Sequence, residues 1–170
     1  FRAAADAGAI HLAFRTPAAV DELTAWLAER ATILPVDGEP SRRFDFLNAD
    51  AVYFADPAGN VLECLRYDGD ATEPVDGVTE VGLPAPEVLG LVDWLASSVG
   101  LSAWGSPSES FAWVGDREGR FVVLPTGSEW YPTDSAAGIE AISVSVVDGD
   151  ATLGTYSHPA LPYEITVLER

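Results

Sequence analysis

The sequence contains no lysine, no methionine and a single cysteine. Without lysine, all nine basic residues are arginines, set against 27 aspartates and glutamates for a formal charge of −18. That sign opposes binding to nucleic acid or to anionic membrane, since both are polyanions. The acids are scattered rather than blocked, so an acidic tail does not account for them. A lysine-free acidic shell suits a salt-rich cytoplasm, where screening blunts self-repulsion. Cys64 has no partner for an intrachain disulfide, which fits a reducing compartment. No apolar run approaches bilayer length and no signal-peptide pattern is present, so a cytoplasmic location is expected. With no initiator methionine, Phe1–Gly8 reads as the end of an earlier module.

What is present is ordinary for a globular chain: 48% hydrophobic and 21% charged residues. At 170 residues there is enough chain for one substantial core, or for two small modules sharing one. The most informative stretch is Ala51–Arg66. Val52, Tyr53 and Phe54 precede Asp56-Pro57-Ala58-Gly59-Asn60, and Val61, Leu62 and Leu65 follow it. Pro57 pre-sets φ while Gly59 and Asn60 tolerate positive φ, so the segment reads as strand, tight turn, strand. Glu63 is a charge planted inside the second strand, a local conflict of the kind that marks either a site or an edge strand facing water.

Two other stretches frame it. Ala9–Arg15 alternates, with His11, Ala13 and Arg15 on one face and Ile10, Leu12 and Phe14 on the other. Thr16-Pro17 is expected to open a helix whose inward stripe is Val20, Leu23, Trp26 and Leu27. Thr32–Val36 reads as a short strand, and Phe44–Leu47 leads into the strand pair. The order then repeats. Val78–Leu83 reads as a strand and Pro86–Val99 as a helix with Val88, Leu91, Val92 and Leu95 inward. Leu101–Trp104, Phe111–Gly115 and Arg120–Leu124 read as three more strands. Trp26-Leu27 recurs as Trp94-Leu95, and the Asp56 turn recurs at Asp116–Gly119, so tandem modules are expected. The segmentation is 1–8, a 9–67 module, a 68–77 linker, a 78–133 module and a 134–170 tail. In the tail Ile142–Val147 and Tyr163–Leu168 are strand candidates, either extending the second sheet or covering an edge.

A βαβββ unit in tandem, with His11-Leu12-Ala13-Phe14 on its first strand and YFADPAGNVLE at its end, resembles the vicinal-oxygen-chelate superfamily. That group includes glyoxalase I, bleomycin-resistance proteins and extradiol dioxygenases, and the resemblance covers about Ala9–Thr133. It implies an α+β fold of tandem βαβββ modules forming a cupped mixed sheet. It also implies a divalent metal (Zn, Fe, Mn or Ni) held by one residue from the first and one from the last strand of each module. The matching positions here are His11 and Glu63, with Glu63 also the carboxylate available for proton transfer. In the second module the last-strand position falls on Val123, which cannot bind metal. The first-strand position falls on Thr79 or Glu80, and Glu80 keeps the strand phase. Either His11, Glu63 and Glu80 form a three-ligand site, or His11 pairs with a module ahead of Phe1.

A small-molecule ligand is the expected partner, and a homodimer is compatible with the resemblance. The competing functions are a metal-dependent lyase, isomerase or dioxygenase, a metal-free sequestering module, and a structural protein whose cup is filled by its own side chains. Tyr53, Trp104, Phe111, Trp113, Trp130 and Tyr131 are core residues or cavity linings. His158 reads as a surface residue, and no Ser or Cys has an evident catalytic His neighbour.

Overall fold

Period-two alternation and tight turns become strands in a computed structural model, which describes residues 8–69, 77–147 and 151–169. The expected module end before Ala9 and most of the 68–77 linker lie outside the described residues. The first elements are β1 (His11–Arg15), α1 (Val20–Ala28), β2 (Thr32–Ile33), β3 (Arg42–Phe44), β4 (Ala49–Ala55), β5 (Val61–Tyr67) and β6 (Gly77–Ala85). There follow α2 (Val88–Trp94), prolonged by a π-helical turn over Leu95–Val99, then β7 (Ala103–Trp104), β8 (Ala112–Gly115) and β9 (Arg120–Pro125). The tail carries β10 (Ile142–Val147), β11 (Gly154–Ser157) and β12 (Tyr163–Leu168). Among the described residues no helix is long and apolar enough to cross a membrane.

The chain divides into two units, and β6 passes from one to the other. The first comprises Ala9–Val81 with Glu129–Ala136. Its strands run in the order β2-β4-β5-β1-β6, with β3 on β4. β1 pairs with β5 in parallel, and the other pairings are antiparallel. One face packs on α1, where Leu23 and Leu27 meet Val52 and Cys64, flanked by Phe14, Val20, Ile33 and Phe54. The opposite face carries the odd-numbered residues of β1, β4 and β5, including His11, Tyr53 and Glu63.

Three expectations are corrected here. The helix begins at Val20, not at Thr16-Pro17. Thr16 is held to the sheet through its N–H to the Leu65 carbonyl, and its hydroxyl accepts from Ala18 in a local turn. Trp26 does not join the inward stripe and is 55% exposed, its ring covered by the Arg30 guanidinium at 4.6 Å. The inward residues are Leu23 and Leu27, four apart; Trp26 lies one residue off that line. The strand expected at Thr32–Val36 stops at Ile33, because Pro35 lacks an N–H to continue the ladder.

The turn between β4 and β5 is built as its residues dictate. One Asp56 carboxylate oxygen accepts from the N–H groups of Ala58 and Asn60, and the other accepts from the Asn60 side chain. Burial acts to raise the Asp56 pKa, but these hydrogen bonds outweigh it and hold the carboxyl below its usual value. Asn60 in turn accepts from the Ile10 N–H, which fastens the start of β1 beside β5. Asp116 repeats the device, accepting from Glu118 and Gly119.

The second unit, Gly82–Ser128 with Ala137–Arg170, repeats the βαβββ order, its strands running β6-β9-β8-β7. Val88, Leu91, Val92, Leu95 and Val99 are buried along its helix. The tail forms a sheet of its own, β10-β12-β11, rather than extending the larger one. The Tyr163 hydroxyl ties it to the Pro84 carbonyl.

Candidate metal centre

Register decides which side chains meet. Ala13 of β1 lies opposite Glu63 of β5 on one side and opposite Glu80 of β6 on the other. Paired residues share a face, and His11, two residues before Ala13, shares it too. Three functional groups therefore gather over the methyl of Ala13, which is itself fully buried. The β1–β6 ladder slips between Ala13 and Phe14: Ala13 pairs with Glu80 but Phe14 with Val78, leaving Thr79 as a bulge residue. Glu80 keeps regular register with Ala13 on the near side of the bulge, which leaves it on the His11 face.

His11 Nε2 lies 3.5 Å from Glu63 Oε2 and 3.6 Å from Glu80 Oε2. One ligand atom from each residue lies within 4.8 Å of the others, the sole such group of three among the described residues. All three residues are at most 5% exposed. The other imidazole nitrogen, Nδ1, is 3.1 Å from the Val61 carbonyl. A carbonyl only accepts, so Nδ1 carries hydrogen and Nε2 faces the carboxylates. Burial acts to lower the His11 pKa. The hydrogen bond to Glu80 and the charges of Glu63 and Glu80 outweigh it, so the imidazole titrates above its ordinary value.

Aromatic residues surround the group. Trp130, nearly buried, stacks on the His11 ring with centroids 5.2 Å apart and planes at 27°. Its indole N–H donates to the Ala9 carbonyl at 2.7 Å, and the Ala9 N–H donates to Ala136. The start of β1 is thus clipped by residues far away in sequence. Tyr53 lies opposite Glu63 across β4–β5, and its hydroxyl donates to that carboxylate. Tyr131 packs edge-on to Tyr53 at 5.6 Å. It also lines a cavity of about 360 Å³, in which Pro35, Val36 and Asp37 face Glu129, Pro132 and Thr133. None of His11, Glu63 or Glu80 lines that cavity.

The remaining candidates do other work. Cys64 points to the helix side, away from Glu63, and burial pushes its thiol up to about 11. His158 is partly exposed, in a loop at the surface. Its Nδ1 accepts from the N–H groups of Ala160 and Leu161, and Trp94 packs against its ring at 4.9 Å. Burial lowers its pKa, and the histidine organises a loop. Val123 is fully buried in β9. Trp104 and Trp113 hold the Arg120 guanidinium at 5.0 and 5.2 Å, with Phe111 edge-on to Trp113. β1 has β5 on one edge and β6 on the other.

The sequence matches no protein-family model and no curated protein. By fold it is similar to a proposed dioxygenase of Bacillus subtilis subsp. subtilis str. 168, with a TM-score of 0.57 at 16% identity over 95% of this chain and 61% of that one. It is also similar to glyoxalase I of Zea mays, with a TM-score of 0.51 at 13% identity over 95% of this chain and 67% of that one. The chain therefore spans about three fifths of the length of the Bacillus protein. Identities this low show the fold alone. That fold is the vicinal-oxygen-chelate fold of the glyoxalases and dioxygenases.

Proposed function

We propose that this protein binds a divalent metal ion through His11 Nε2, Glu63 and Glu80, and with it a small molecule carrying adjacent oxygens. The observation that carries the reading is two carboxylates buried against an imidazole whose outward nitrogen is fixed by the Val61 carbonyl. Burying a carboxylate is costly unless its charge is met. Two carboxylates and a neutral imidazole leave the group at −2, which a divalent cation neutralises. Metal–ligand distances of about 2.0–2.2 Å put neighbouring ligand atoms roughly 3–3.5 Å apart, close to the spacings around Nε2. One imidazole with two carboxylates is an oxygen-rich set that suits Mn²⁺ or Fe²⁺ as well as Zn²⁺ or Ni²⁺.

A bound ion supplies Lewis acidity toward a substrate's paired oxygens. The protein's own residues orient and exclude water, and Glu63 is the carboxylate that exchanges a proton in a lyase or isomerase step. A dioxygenase-type reaction would use the same ligands. The competing arrangement is an imidazolium paired with both carboxylates in a metal-free binding or structural site, favoured by the raised His11 pKa. Elemental analysis after expression with added Mn²⁺, Fe²⁺, Zn²⁺ or Ni²⁺ separates the two. About one ion per chain, lost in His11→Ala, is expected; protein that stays metal-free throughout sinks the proposal.

A further inference from the structure

We infer that Tyr53 is a positioning residue for the metal centre, fixing the Glu63 carboxylate through its phenolic hydrogen bond. This rests on the metal reading above and adds a residue to it. As a plain core aromatic, Tyr53 would need only its ring, which packs edge-on against Tyr131. The hydroxyl is what a phenylalanine would lack, and it is directed at Glu63. Tyr53 is only 6% exposed, so its hydroxyl needs a partner within the protein. A carboxylate partner makes the hydrogen bond charge-assisted, stronger than one to a neutral acceptor.

Register makes the contact unavoidable. Tyr53 and Glu63 are directly opposed in an antiparallel pair whose alignment is set by the Asp56–Asn60 turn. A slip of one residue would send one of the two to the helix side. The phenolic hydrogen bond fixes where the Glu63 carboxylate points, and the phenol is not itself one of the three ligands. Residues that hold a ligand in this way are worth about 10–100-fold in metal affinity.

The test is Mn²⁺ titration by calorimetry on the full chain, comparing wild type with Tyr53→Phe. Visible spectra of the Co²⁺-loaded proteins report coordination directly. Mn²⁺ affinity about 10–100-fold weaker is expected, with an altered Co²⁺ spectrum, in metal-free protein that still folds. Equal Mn²⁺ affinities and identical Co²⁺ spectra would overturn the inference and leave the metal reading standing. A wild-type protein that binds neither ion overturns both. Metal-free Tyr53→Phe that fails to fold makes Tyr53 a structural residue and overturns the inference as well.

Discussion

Replacing His11 by alanine is the most discriminating perturbation, because it removes the one nitrogen ligand and leaves two buried carboxylates facing each other. With free Mn²⁺ at 100 times the dissociation constant, wild type gains about 2.7 kcal/mol of stability. A chain of this size moves its melting temperature by about 2–4 °C per kcal/mol, so the metal-induced rise is about 5–11 °C. Losing a ligand costs at least the roughly 100-fold that marks the upper end for an outer-shell partner. At the same Mn²⁺ concentration the variant then gains about 0.4 kcal/mol, a rise of about 1–2 °C. Without metal, and at a pH where His11 is protonated, the variant loses the cation between its carboxylates and falls by about 3–5 kcal/mol. Differential scanning calorimetry with and without MnCl₂ measures both effects. A His11→Ala protein that keeps the full metal-induced rise would refute the reasoning, since the imidazole could not then be a ligand.

Four further outcomes are expected. The His11 pKa is raised on folding, so in metal-free protein its stabilising contribution is fully present below the unfolded value of about 6.5 and is lost as pH rises through the folded value. Metal affinity runs the opposite way and strengthens with rising pH as Nε2 loses its proton, so calorimetry in buffers of different ionisation enthalpy should record proton release on Mn²⁺ binding. Trp130→Ala removes the ring stacked on His11 and the hydrogen bond to Ala9, and should cost about 3–5 kcal/mol by urea unfolding with Mn²⁺ binding weakened in parallel; unchanged stability would show that the 129–136 segment does not brace β1. Cys64, buried with its thiol pushed up to about 11, should react with a disulfide reagent far more slowly in native than in urea-unfolded protein, and comparable rates would contradict its burial.

Local rules reached a good part of the fold. The Asp56–Asn60 turn closes as its residue types require, and β10 and β12 occupy the expected residues because their alternation is uninterrupted. Local rules failed where a distant partner outbid them. Thr16-Pro17 has the chemistry of a helix start, yet Thr16 is bonded to the sheet at Leu65 and the helix begins only at Val20. Trp26 is a different case: it is apolar, yet it stays exposed, and a local partner one turn later, Arg30, covers its ring. Gly154–Ser157 is short and mostly exposed, without the alternation that marks a half-buried strand, and it becomes β11 only by pairing with β12.

The sequence by itself determined the residue types of the site and the phase of each strand. Alternation of period two puts His11 with Ala13, sends Glu63 and Cys64 to opposite faces, and needs no knowledge of neighbours. Tertiary structure alone decided which strands border β1, and so which carboxylates stand around one imidazole. It placed Glu80 opposite Ala13 and beside His11, laid Trp130 against that ring and set the Tyr53 hydroxyl on Glu63. The physical reason is reach: φ/ψ preferences and side-chain periodicity act over a few residues, whereas sheet order and the packing of distant segments are fixed only when the whole chain closes.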